Sequence, residues 1–251
     1  MYGLRENVVV WIKEFSESYC RMHGKDVIWR DPLVGLGDAR SPLFPEIRKI
    51  GNRAQKMPQD YMPDATTVIS YFLPFREDIV EGNAGGDMPT FDWADAYTLT
   101  NTMAVDMNRF IASKVEGLGY HAVVPEDAGV IVDRTYSCWS QRHVARIAGL
   151  GSFGMNNMLI TESGCCGRYF SVITDVPCDH DAPFVGERCL HKIDGSCGLC
   201  MRACPCGALS DDAFDRDACE TQCSSNAKVV SVTVCGKCSA GMPCAFRDPS
   251  A

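Results

Sequence analysis

The sequence predicts a layered domain of mixed helix and sheet over residues 1–180, followed by a small cysteine-rich module over residues 181–251. Three observations predict it. Stretches with apolar residues at helical spacing alternate with short, nearly continuous apolar runs, the pattern of an α/β or α+β core. Ten of the fifteen cysteines fall between Cys189 and Cys244, which sets that end of the chain apart. The chain of 251 residues is long enough to bury a proper core beside such a module.

The first helix is predicted from Leu4, Val8, Trp11, Ile12, Phe15, Tyr19 and Met22, which share one face, and Gly24 ends it. Cys20 on this helix reads as a small buried apolar residue rather than a ligand. Residues 31–63 are rich in Pro, Gly and Arg, and Gly35 and Gly37 suit either a connecting loop or a loop that approaches a ligand closely. Residues 67–73 are almost all apolar or β-branched and stop at Pro74, so they predict a central buried strand. Residues 81–90 predict a surface loop. Tyr97, Ala104, Met107, Ile111, Val115 and Leu118 give a second amphipathic helix, closed by Gly117 and Gly119, and residues 120–124 a further strand.

The formal net charge is −8 and no Lys/Arg cluster stands out, so a long electrostatic footprint for nucleic acid is not expected and tRNA is not favoured as a partner. The start of the chain has neither a basic segment backed by an apolar run nor a twin-arginine pair, and no apolar stretch approaches membrane-spanning length. The expectation is a cytoplasmic protein without a membrane partner. In a reducing compartment, cysteine enrichment signals metal or redox chemistry rather than disulfides.

Residues 129–175 are the next stretch whose residue types suit chemistry. A short strand over 130–132 is expected to end at Asp133, and a helix to run from about Ser137 to Ala148, followed by Gly149, Leu150, Gly151 and Gly154. A dinucleotide fingerprint lies between a strand and the start of a helix, and this turn follows a helix instead. Its glycines still permit exposed amides that hold an anionic or amide-bearing cofactor, with a plain helix cap as the alternative. Trp139, His143 and Arg146 fall on one helical face by spacing, with Arg142 beside them. Residues 158–161 and 168–174 predict two strands, the second opening with Arg168, joined by a turn that carries Cys165 and Cys166.

The cysteine-rich end centres on Cys197, Cys200 and Cys204, spaced C-x2-C-x3-C and followed by Pro205. This is the later part of the ferredoxin run C-x2-C-x2-C-x3-C-P, whose fourth thiolate crosses to the other cluster. The first cysteine is displaced outward, with Cys189 the nearest candidate. A crossed pattern assigns Cys189, Cys197, Cys200 and Cys244 to one four-iron cluster, and Cys204, Cys235, Cys238 and either Cys219 or Cys223 to another. Cys206 and one of the last pair are then spare. Structural zinc also uses C-x2-C, but Cys-Pro after this spacing and ten thiols in so short a stretch favour iron–sulfur.

Taken together, residues 148–151 with Gly154, Leu159 to Thr161, the glycine turn, the Arg168 strand ending at Thr174 and Asp175, and the cluster cysteines resemble epoxyqueuosine reductase and its relatives, which include the reductive dehalogenases. The likeness is an ordered series of short motifs from residue 66 to residue 244. It implies an α+β fold with an α/β nitroreductase-like core that binds cobalamin, and a ferredoxin-like module with two 4Fe-4S clusters. It implies Asp133 as proton donor and Cys219 rather than Cys223 as ligand. A low-potential donor such as ferredoxin or flavodoxin would supply electrons. The sequence stops soon after Cys244, without the helical-repeat domain that helps epoxyqueuosine reductases hold tRNA, so the expected substrate is a small molecule or modified nucleoside. Asp133, Trp139, Arg142, His143, the Gly149 to Gly154 turn and the Cys165–Cys166 turn are expected to share one cleft facing the clusters. The alternatives are an electron carrier for a partner protein, or a reductase of this fold that uses flavin or another tetrapyrrole.

Overall fold

The computed structural model describes residues 3–50, 54–125 and 137–251. The expected strand over 130–132 and the candidate acid Asp133 lie outside the described residues. The helices are α1 (Leu4–Met22), α2 (Leu43–Lys49), α3 (Pro58–Tyr61), α4 (Glu77–Gly82), α5 (Phe91–Glu116), α6 (Gln141–Ile147), α7 (Leu190–Asp194), α8 (Leu199–Arg202) and α9 (Arg216–Val230). The strands are β1 (Leu33–Asp38), β2 (Thr67–Pro74), β3 (Ala122–Val123), β4 (Ser152–Phe153), β5 (Leu159–Ile160) and β6 (Gly167–Thr174).

The main sheet has the order β1-β2-β6-β3, with every neighbouring pair antiparallel. All residues of β2 are buried. A continuous apolar run usually marks a parallel strand covered on both faces. Here an antiparallel strand has the same pattern because helices cover both faces. Ile69, Tyr71 and Leu73 belong to the core that contains Val8 and Ile12 of α1 and Met103, Met107 and Ile111 of α5. Val68 belongs to the core of Val144 and Ile147 of α6, and Phe72 to that of Ala145. Fully burying a side chain of this size stabilises the fold by about 1.5–3 kcal/mol.

Residues 31–63 are not a plain loop: they hold β1, α2 and α3. A Cβ built on Gly35 would lie 2.2 Å from the Ala148 carbonyl oxygen, so this glycine is needed where the end of α6 rests directly on β1. α5 begins ahead of Tyr97, with Thr90 as its cap accepting a hydrogen bond from the Trp93 amide. Cys20 is buried in the core, as expected. Met22 and Leu118, assigned to helix faces from spacing, are 71% and 51% exposed. One is the last residue of α1 and the other lies just past α5, where no opposing surface meets the helix face.

Candidate functional site

Two cavities divide the cysteines of the C-terminal segment. Cys189, Cys197, Cys200 and Cys244 line a small one together with Asn156 and Ile160. Cys204, Cys206, Cys219, Cys223, Cys235 and Cys238 line a larger one of about 280 Å³, whose other wall includes Trp93, Tyr97, Cys165, Cys166 and Arg168. The spacing around α8 causes this division. Gly198 turns the chain with φ +86°, Cys200 sits on the short helix, and Cys204 follows its end and lines the other cavity. Cys219 and Cys223 are four apart on α9 and so share a face.

The loop carrying Cys235 and Cys238 is tied to the core at several points. Gly236 has φ +78°, and a Cβ there would lie 2.4 Å from the Trp93 ring, so the loop wraps directly over α5. Asn83 donates to the Cys235 carbonyl at 3.1 Å, and the buried Lys237 ammonium donates to the carbonyls of Asn83 and Gly85 at 3.0 and 2.7 Å. Asn156 lines both cavities; its side-chain amide donates to the Cys238 carbonyl at 3.1 Å and lies 3.6 Å from Cys165 Sγ. Cys165 Sγ is in turn 3.9 Å from Cys244 Sγ.

The thiols of each cavity perturb one another. Burial, then Cys244, Cys189 and Cys197 around it, push the Cys200 thiol up to about 11. Burial, then Cys235, Cys219 and Cys204, likewise raise Cys238. Thiolates crowded in this way repel one another until a bound cation neutralises them, at which point coordination deprotonates them. Among the described residues no set of three or more His, Cys, Asp or Glu side chains is arranged to hold a single metal ion. Four of the C-terminal segment's cysteines line the smaller cavity and six the larger.

Cys219 is lowered to about 7 by a hydrogen bond from Cys223, which the same bond raises. Both line the cavity, so the structure brings two thiols to this corner. Cys206, read from the sequence as spare, lines the same cavity with its sulfur 3.7 Å from that of Cys204. The turn after Cys204 closes with a Gly207 amide to Cys204 carbonyl bond of 3.2 Å, which carries Cys206 back beside it.

A cleft of about 840 Å³ adjoins the larger cysteine cavity, and the two share Tyr97, Arg142, Met158, Gly167 and Arg168. Its volume falls within the roughly 300–1,000 Å³ of small-molecule sites. One wall is the face of α5 that presents Tyr97, Asn101 and Asn108; opposite stand β6 and the start of α6. Arg142 donates to the Asn157 carbonyl and reaches Met158 Sδ at 3.4 Å. Arg168 lies over the Tyr97 ring at 4.5 Å and donates to Asn101 at 3.0 Å.

The structure therefore brings Arg142, Arg168, Cys165 and Cys166 to the cleft and the cysteine cavity it adjoins, with Trp139 fully buried at the back, and leaves other expected residues elsewhere. A Cβ on Gly151 would lie 2.0 Å from the Ile160 carbonyl oxygen, and one on Gly149 2.7 Å from that of Ala182. These glycines are required by close backbone packing. Gly149 and Leu150 border a separate cavity beside Arg5 and Arg188, and Gly154 borders the Cys189 cavity. Trp139 precedes α6 and Arg146 is exposed, so the helical face expected of Trp139, His143 and Arg146 does not form. Spacing also missed Asn101 and Asn108. Their recurrence at an interval of seven beside apolar residues was the available signal.

His143 is half-buried, bonds Ser140 Oγ at 2.7 Å through Nδ1 and lies against the Phe153 ring. Burial, then Arg142, Arg146 and Arg216, lower its pKa from 6.5 to about 4. The folded state thus resists a proton that the unfolded chain accepts. The stability His143 contributes is full above pH 6.5 and is lost as pH falls toward about 4, by roughly 3 kcal/mol. Anaerobic chemical denaturation at pH 7 and pH 5 should show a smaller stability difference for His143→Gln than for the parent; equal differences would contradict this assignment.

No family model matches the chain, and no curated protein matches it. Solved structures do. Epoxyqueuosine reductase from Streptococcus thermophilus superposes with a TM-score of 0.54 at 18% identity, over 95% of this chain and 69% of that one. The Bacillus subtilis epoxyqueuosine reductase, solved with its catalytic aspartate loop swung out of the active site, gives 0.51 at 18% identity, over 94% of this chain and 66% of that one. A catabolic reductive dehalogenase in complex with 3-bromo-4-hydroxybenzoic acid gives 0.57 at 18% identity, over 86% of this chain and 30% of that one. The chain thus spans about two thirds of the reductases and less than a third of the dehalogenase. It has the mixed helix-and-sheet fold of the epoxyqueuosine reductases and reductive dehalogenases.

Proposed function

We infer that this chain is an iron–sulfur oxidoreductase with a core over residues 1–180 and a ferredoxin-like module over residues 181–251. Cys189, Cys197, Cys200 and Cys244 would hold one 4Fe-4S cluster, and Cys204, Cys219, Cys235 and Cys238 the other. One observation carries this reading: the crossed cysteine sets line two neighbouring cavities, and the larger is continuous with a cleft of small-molecule size. An electron carrier needs no such cleft. Cobalamin, when bound there, would supply a reducible metal centre next to the clusters. The chain's own residues bound the space: Tyr97 and Arg168 form its wall toward the cysteine cavity, and Asp133 is our assignment for the acid that delivers a proton. A carboxyl needs a raised pKa for that role.

The substrate in this reading is a small molecule or a modified nucleoside rather than tRNA, with a low-potential ferredoxin or flavodoxin as electron donor. Anaerobic equilibrium dialysis of the iron-loaded protein against hydroxocobalamin, and separately against flavin mononucleotide, tests the cofactor. Retention of the corrinoid alone supports the reading. Retention of the flavin alone transfers the cleft to a flavin reductase, and retention of neither contradicts a cofactor-bearing cleft.

A further inference from the structure

In a protein of net charge −8, the described residues that line the cleft include Arg109, Arg142 and Arg168 and no Asp or Glu. Arg109 lies near Asp106, at 3.9 Å. Arg142 and Arg168 have no carboxylate partner among the described residues. Arg142 bonds a carbonyl and a thioether sulfur, and Arg168 uses its Nε for Asn101 while its terminal nitrogens find no protein acceptor among the described residues. The two stand together where the cleft opens into the cysteine cavity. Burial, then Arg168 and Arg216, lower the Arg142 pKa. Like charges held together at a desolvated spot raise the free energy of the empty site and reward an oxyanion that enters it. Guanidinium groups suit this task because their planar fork meets carboxylate and phosphate oxygens in pairs.

We propose that the cleft takes a ligand bearing a carboxylate or phosphate, whose oxyanion is held between Arg142 and Arg168 at the opening toward Cys204 and Cys238. This rests on the reductase reading for its meaning, since it names the chemical class of molecule delivered to the cluster end of the cleft. Stacking on Tyr97 and the bond to Asn101 hold the Arg168 guanidinium in place before a ligand arrives, which reduces the ordering cost of binding. An oxyanion could belong to a free substrate or to the phosphodiester of a corrinoid, and the same variants separate the two.

The test is anaerobic calorimetry of the iron-loaded protein at low salt with benzoate, inorganic pyrophosphate and neutral benzamide. At least one of the two anions should bind while benzamide does not, and Arg168→Gln should weaken that anion about tenfold or more. Arg168→Lys should retain part of the affinity, because it keeps the charge and loses the fork. Arg142→Gln is the second variant, should Arg168→Gln fold poorly by circular dichroism. Hydroxocobalamin and cobinamide, which lacks the nucleotide loop, then distinguish the sources. If the phosphodiester is the ligand, the parent prefers hydroxocobalamin and Arg168→Gln abolishes the preference; if a substrate is, corrinoid binding is unchanged in the variant. Equal binding of benzoate and benzamide, no binding of either anion, or full affinity in both arginine variants would overturn the proposal. Iron and sulfide assays on the same samples separate the failures. Clusters without anion binding sink this site alone, whereas anion binding without clusters sinks the reductase reading.

Discussion

Anaerobically purified Cys238→Ala protein should hold about half the iron of the parent, because it loses one four-thiolate site and keeps the other. Burial and the neighbouring thiols of Cys235, Cys219, Cys204 and Cys200 raise Cys238. The backbone around it has little freedom to offer a substitute. Gly236 is pressed against Trp93, Lys237 is held by two carbonyls, and the Cys238 carbonyl takes the Asn156 amide. Cys200→Ala should remove the other half. Iron and sulfide assays with low-temperature electron paramagnetic resonance read both outcomes, and either variant retaining the full iron content would break the crossed assignment. Cys206→Ala should keep the parental iron, since Cys204, Cys219, Cys223, Cys235 and Cys238 line that cavity without it.

Trp139→Ala should lower the stability of the fold by about 3–5 kcal/mol, the cost of removing a large, fully buried ring. Trp139 is 0% exposed, packs on Phe44 with ring centroids 5.8 Å apart and meets Tyr61 edge-on at 5.4 Å. Its indole N–H donates to Ser171 Oγ on β6 at 2.9 Å, and Ser171 donates onward to Gln141 at the start of α6. One side chain thus joins α2, the sheet and the helix that carries Arg142. Trp139→Phe keeps most of the apolar volume and loses that hydrogen bond, so it should cost less, with about 1 kcal/mol from the bond itself. Anaerobic guanidinium denaturation followed by far-ultraviolet circular dichroism measures the series. A loss below about 1 kcal/mol for the alanine variant would show that the site collapses around the vacancy.

Much of the fold was legible because its signals are local. The apolar run of β2 and the spacing of α1 required no knowledge of partners, only that a buried strand and an amphipathic helix have different periods. The antiparallel sheet was not legible, since a strand covered on both faces reads alike in either direction. The glycines after α6 show a different limit. Gly149 and Gly151 have the composition of a ligand-binding turn, yet what they approach is the chain itself at Ala182 and Ile160, which are distant in sequence. The cleft wall on α5 was hidden for a related reason: Tyr97 sits on the spacing of a packing face, and only β6 and Arg168 turn it toward a cavity. The cysteines of the module, by contrast, line two cavities much as their spacing divides them, save Cys206, which the turn after Cys204 brings back beside it.

The central claim is that the cysteines hold two iron–sulfur clusters. Metal and acid-labile sulfide analysis of the full chain, purified without oxygen, tests it most directly. The expected result is about eight iron and eight sulfide per chain. Zinc bound without sulfide, or a chain with neither metal nor sulfide after anaerobic reconstitution with iron and sulfide, would contradict it.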